Sequence, residues 1–186
     1  MLERIAFASL IALLAGVSTA ADVAGVKLDD TVSVAGQQIV LNGAGIRTRM
    51  VFKVYVGSLY TPAKANTAEA VLAKGPRRVQ LNLLRNLSAD QLVDALVDGL
   101  KDNTSEAEFA GLKRQTDELV AIMKSFGDVK EGSVVTLDFV DGATRIAQDG
   151  QPRGSVAGEP FNHALTRIWI GDKPVQPDLK KSMLGG

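Results

Sequence analysis

The chain of 186 residues has no cysteine and a single histidine, His163. Those two counts exclude disulfide frameworks, thiolate or multi-histidine metal sites, cysteine nucleophiles and CxxC redox chemistry, so neither a metal nor a cofactor is expected. Neither sign of charge is in excess: 21 Lys and Arg balance 21 Asp and Glu. Without a basic field, nucleic acid is a poor partner. No apolar run is long enough to span a bilayer as a helix. The longest, Ile5 to Gly16, is about a dozen residues where roughly 20 are needed. What remains is ordinary globular composition, 46% hydrophobic and 23% charged, which argues against a disordered tail. Its 18 glycines exceed the usual ~7% share and point to many turns.

The first residues read as a leader rather than as part of the fold. A short polar start, Met1 to Arg4, is followed by the apolar stretch to Gly16 and by the small residues Val17, Ser18, Thr19, Ala20 and Ala21. This is the pattern of a secretory signal peptide over residues 1–20, cleaved after Ala20, with one domain over 21–186. Such a chain is expected in the periplasm, without a stable membrane anchor after cleavage. Lacking cysteine, it holds together by packing alone, and a domain of this size buries roughly 70% of its unfolded surface.

Strand and helix signals come in blocks. Thr31 to Val34 and Gln38 to Leu41 flank Ala35-Gly36 as a hairpin. Met50 to Val56 is rich in β-branched and aromatic residues and continues to Leu59-Tyr60, a strand. Val79, Leu81 and Leu83 alternate with Gln80 and Asn82, a strand with one wet face, entered after the basic stretch Lys74 to Arg78. Ser88 and Gln91 form a capping box ahead of Leu92, Ala95, Leu96 and Leu100, an amphipathic helix. Ser105 opens a second, longer helix through Phe109, Leu112, Leu119, Val120 and Met123, ending at Phe126-Gly127. Val134 to Val140 and Thr144 to Ala147 flank Asp141-Gly142, a strong hairpin signal. Pro160 and Pro177 each stand where a terminal helix begins. Antiparallel hairpins with segregated helices make an α+β fold.

The residues carry little chemistry. Gly43 and Gly45 begin like a dinucleotide fingerprint, but position 48 is Thr and the following residues read as strand, which argues against a Rossmann turn. His163 has no G-x-S-x-G elbow upstream to serve as a triad partner. Asp29-Asp30 and Asp117-Glu118 read as solvated surface. The stretch from Gly43 through Arg47 to Tyr55 and Tyr60 is different: an arginine at a strand end, preceded by small residues, suits recognition of a carboxylate or phenolate through the guanidinium fork. On an unbroken strand Arg47 and Tyr55 would stand about 26 Å apart, so they share a pocket only if the chain reverses between them. A surface arginine beside a tyrosine that fills the sheet is the plainer alternative.

Three blocks carry a resemblance: Leu41 to Arg47, Phe52 to Pro62, and the ending Phe161 to Gly171 with Pro174, Val175 and Leu179 to Gly185. Together they resemble the bacterial chalcone isomerase-like family. The resemblance implies an antiparallel β-sheet backed by a layer of α-helices, an open-faced β-sandwich. In the plant enzymes of that superfamily, which close a chalcone to a flavanone, an arginine in a Gly-x-Gly-x-Arg stretch steers the attacking phenolate, and Arg47 is the matching position. Tyr55 stands where those enzymes have a threonine. Their helix tyrosine and asparagine map onto Leu92 and Gly99, and a late Ser/Thr maps near Ile168. The arginine is thus kept and its polar partners are replaced, an arrangement similar to the superfamily's fatty-acid-binding members.

Two functions of different class follow. The first is binding of a fatty or other apolar acid, with Arg47 as clamp, Tyr55 as hydrogen-bond donor, and Leu92, Gly99 and Ile168 on the ligand's apolar side. The second is an isomerase or intramolecular lyase acting on a phenolic substrate, with Arg47 and Tyr55 as the catalytic pair. A structural role with a vestigial site is the third possibility. The shortage of a general base near Arg47 favours binding over turnover.

Overall fold

A computed structural model describes residues 21–73 and 75–186. The expected leader, residues 1–20, lies outside them. The chain opens with a small hairpin, β1 (Ala21–Val23) and β2 (Val26–Leu28). It then builds a curled antiparallel sheet of seven strands: β3 (Thr31–Val34), β4 (Gln37–Arg49), β5 (Phe52–Thr61), β6 (Arg77–Leu83), β7 (Val134–Val140), β8 (Ala143–Gln148) and β9 (Gln151–Ala157). Each strand pairs with the next in sequence, so the sheet is a pure meander.

The helices enter through two long crossings and the segment after β9. Helix α1 (Ala68–Leu72) lies between β5 and β6; α2 (Ala89–Asp102), α3 (Glu106–Gly111) and α4 (Lys113–Lys124) lie between β6 and β7; α5 (Glu159–Ile170) and α6 (Pro177–Met183) follow β9. They cover one face of the sheet. Strand alternation makes this possible, since period-2 side chains put Val79, Leu81 and Leu83 on the helix side and leave Arg78, Gln80 and Asn82 half-exposed on the other. Leu59, Leu81, Leu137 and Ile146 meet Leu96, Leu100, Leu119, Phe161 and Ile168 there in one apolar layer. Each such side chain contributes about 2 kcal/mol when fully buried, so this layer dominates the stability. A smaller cluster on the opposite face, Leu28, Val34, Ile39, Leu41, Val56, Tyr60 and Val140, includes the β1–β2 hairpin and leaves the rest of that face open.

The expected hairpins at Ala35-Gly36 and Asp141-Gly142, the Ser88 capping box and both proline-led helices are present. Three features differ. The expected long helix from Ser105 breaks at Leu112 (φ −97°, ψ 8°), directly after Gly111, a poor helix former. The expected strand start at Met50 is instead a turn, and β5 begins at Phe52. Strand β9 had no readable alternation because only Val156 of it is buried; its Pro152 is tolerated because β9 is the last strand of the sheet.

Candidate functional site

Two of the site residues expected from sequence, Arg47 and Tyr55, meet on the β4–β5 hairpin. The chain does reverse between Arg47 and Tyr55, through Met50-Val51, with Met50 in the left-handed region at φ 56°. Arg47 and Tyr55 are therefore direct cross-strand partners, with β-carbons roughly 5 Å apart. A bulge between Leu41 and Gly43 sets which side they face. Leu41 still points to the small cluster with its partner Tyr60, but the extra residue moves Gly43, Gly45 and Arg47 to the helix side.

The small residues before Arg47 have a use that the sequence reading did not foresee. Helix α6 lies directly on them. A β-carbon at Gly43 would stand 2.1 Å from the Ser182 carbonyl oxygen, and one at Gly45 would stand 2.8 Å from the Ser182 β-carbon. The close backbone approach expected for a ligand is thus taken at both glycines by the chain's own last helix. Asn42, in the bulge, donates from Nδ2 to the Met183 carbonyl at 2.8 Å and anchors the far end of α6. At the near end, Gln176 occupies the N-cap position. Its Oε1 accepts from the Thr48 backbone N–H at 2.8 Å, and its Nε2 donates to the Ile46 carbonyl at 3.3 Å. One side-chain amide thereby pairs with β4 as a neighbouring strand would.

Arg47 is half-buried and donates to the Thr48 carbonyl and, at 3.4 Å, to Gln176 Oε1. Both acceptors are neutral, and among the described residues no carboxylate forms an ion pair with it. Tyr55 is buried, and its Oη accepts from the Trp169 indole N–H at 3.0 Å. Burial pushes its phenol up to about 12, against the opposing effects of the Trp169 hydrogen bond and the Arg47 charge. At neutral pH this group is a neutral hydroxyl beside a cation, and a poor proton acceptor.

Leu92 and Ile168 are buried in the same apolar layer as Tyr55. Gly99 marks the contact of α2 with α5: a β-carbon there would stand 2.8 Å from Ile168 Cγ2. The structure thus brings Arg47 and Tyr55 together and puts the other three expected residues in the helix layer above. His163 is elsewhere, on α5, with Nε2 3.6 Å from Glu159 Oε1. Burial and the Arg77 charge hold it below the usual histidine range. A hollow of about 610 Å³ opens at the outer side of α6, between Asp172, Pro174, Lys180 and Leu184, away from Arg47.

Sequence reasoning missed Trp169 and Gln176 as parts of this arrangement. Trp169 left one clue, since a buried indole N–H requires an acceptor. Gln176 left none, because its contacts are with residues more than a hundred positions earlier.

A family model described as chalcone isomerase-like matches residues 20–185. No curated protein matches the chain in sequence. Among solved structures, a fatty-acid binding protein of Arabidopsis thaliana superposes with a TM-score of 0.68, covering 86% of this chain and 92% of that one at 14% identity. At that identity the likeness is one of fold.

Proposed function

The chain belongs to the chalcone isomerase-like family, and from that premise we propose that it binds a fatty or other apolar carboxylic acid, held by Arg47. The observation that carries this reading is a half-buried guanidinium answered only by neutral oxygens, beside a buried phenol that is uncharged at neutral pH. A carboxylate would give Arg47 the charge-assisted, bidentate partner it lacks. The Tyr55 hydroxyl, which accepts from Trp169, keeps its own proton free to donate to that carboxylate. Leu92, Gly99 and Ile168 supply the apolar wall in this reading. Because Ile168 fills the space above Gly99, a tail is admitted there by a shift of Ile168.

The alternative is an isomerase or intramolecular lyase acting on a chalcone-like phenol, with Arg47 stabilising the oxyanion. Tyr55 weighs against it, since a phenol pushed up to about 12 does not take protons near neutral pH. We further propose that the leader, residues 1–20, exports the domain to the periplasm.

Mass spectrometry of organic extracts from the purified protein tests the binding reading. A long-chain monocarboxylic acid is expected at near-stoichiometric amount. Extracts without any such acid in repeated preparations contradict it, and conversion of a chalcone panel by the folded protein would favour the lyase.

A further inference from the structure

The hairpin that carries Arg47 ends in a feature that acid binding does not require. Among the described residues, five tight two-residue reversals join neighbouring strands. Four of them, Ala24-Gly25, Ala35-Gly36, Asp141-Gly142 and Asp149-Gly150, place a glycine second and take positive φ at both residues. These are the residues and angles that hairpin geometry favours. The fifth is Met50-Val51, which has no glycine, forces Met50 to φ 56°, and leaves Met50 and Val51 89% and 85% exposed. Phe52, the next residue, is 56% exposed, and among the described residues these three are the large apolar side chains that stand out in water.

The charges on the hairpin itself have one sign, and the neighbouring turn adds Arg85 with Glu131 beyond it. Arg49 and Lys53 flank the tip and are exposed, and the exposed Arg85 guanidinium lies 5.0 Å from the centre of the Phe52 ring. No Asp or Glu occurs anywhere from Thr31 to Ala68, so β3, β4 and β5 carry no negative charge. Apolar side chains at a projecting point with cations just behind them match a bilayer interface, where the tip enters the acyl boundary and the cations meet anionic headgroups. A protein partner fits less well. Three side chains present only a few hundred Å², well under the roughly 800 Å² per partner of a stable interface. No helix of the described residues is long and apolar enough to cross a membrane, so this contact would be peripheral.

We propose that the Met50–Phe52 tip of the β4–β5 hairpin, with Arg49, Lys53 and Arg85, docks this protein on a bilayer surface bearing anionic lipid headgroups. Docking there presents the Arg47–Tyr55 end of the hairpin to the membrane, but it does not depend on acid binding, which is measured without vesicles.

The chain has no cysteine, which makes a local test direct. An environment-sensitive dye is attached to the full chain at Val51→Cys and, in a control, at the exposed Lys113→Cys. Both are mixed with vesicles of phosphatidylglycerol in phosphatidylcholine, or of phosphatidylcholine alone. The Val51 dye is expected to shift to the blue and to be quenched by spin labels on the acyl chains in the anionic vesicles only, while the Lys113 dye stays in water. Because the readout is local, membrane contact through residues 1–20 does not imitate it. Arg49→Gln with Lys53→Gln should lower the apparent vesicle affinity about tenfold or more, and salt should weaken it further. Met50→Asn, which suits the turn, should reduce the quenching. A Val51 dye that remains in water on both vesicles overturns the proposal. So does equal quenching at Lys113, or a shift that follows protein concentration and a rise in mass, which would indicate self-association.

Discussion

Arg77 and Arg47 both lie on the helix side of the same sheet, yet their charges are answered in different ways. Arg77 is 1% exposed; its Nε donates to Asn162 Oδ1 at 2.7 Å, its Nη1 to the Ala73 carbonyl at 3.4 Å, and its guanidinium lies 4.3 Å from the centre of the Phe139 ring. Asn162 in turn donates to Thr144 and accepts from Thr166, so the cation is one node of an interior polar network. Burial brings Arg77 down to about 10, with Glu159 opposing the shift. Arg47 has two neutral acceptors and partial exposure, and the Gln176 amide that answers it is already engaged by the Thr48 N–H and the Ile46 carbonyl. A guanidinium without a carboxylate must find its compensation in fixed dipoles or in a guest. Arg77 has the first through Nε, Nη1 and the Phe139 ring, although its buried Nη2 has no hydrogen-bond partner among the described residues, and Arg47 is open to the second.

The largest expected effect separates the two by stability. Arg77→Ala removes a filled volume and leaves Asn162 under-satisfied, so it should cost about 3 kcal/mol in chemical denaturation. Arg47→Ala should cost about 1 kcal/mol, the net worth of a hydrogen bond to a neutral acceptor. Equal losses would erase the distinction.

A second substitution asks whether the glycines serve α6. Gly43→Ala puts a methyl against a backbone carbonyl that has no rotamer to yield, and overpacking of this kind costs about 1–3 kcal/mol. Displacement of α6 should also loosen Gln176 and weaken acid binding. A fully stable Gly43→Ala protein would mean that α6 seats elsewhere.

Tyr55→Phe should cost about 1–2 kcal/mol at neutral pH, because it leaves the Trp169 N–H without its acceptor. Its pH dependence has a definite sign. The folded phenol is raised to about 12 from its ordinary 10.0, so the folded state keeps the proton longer than the unfolded chain. The stabilisation is complete below pH ~10 and falls as pH rises towards ~12, by about 3 kcal/mol in all. Denaturation across that alkaline range should show a steeper decline for the wild type than for Tyr55→Phe. Parallel curves would place Tyr55 in water.

Much of the fold was legible because local chemistry and tertiary packing agreed. Asp141-Gly142 forms its hairpin, Ser88 and Gln91 cap α2 reciprocally, and the alternation of β6 matches its burial. The geometry of the candidate site was half legible. Arg47 and Tyr55 could be named, but their meeting depended on a reversal at Met50-Val51, where no glycine or proline announces a turn. The role of Gly43 and Gly45 was hidden for another reason: a glycine admits a close neighbour of any kind, and which neighbour arrives is decided by α6, about 140 residues later. Strand β9 was unreadable because its exposed residues leave no period to count.

Whether Arg47 holds an acid is decided by titrating the delipidated protein and its Arg47→Gln variant with one long-chain fatty acid, without vesicles, by calorimetry. Wild type should bind one acid per chain, and the variant should lose about 1.5–3 kcal/mol of that affinity, roughly ten- to a hundredfold, while unfolding at nearly the same denaturant concentration. Equal affinity in a folded variant would contradict the clamp and return Arg47 to the surface.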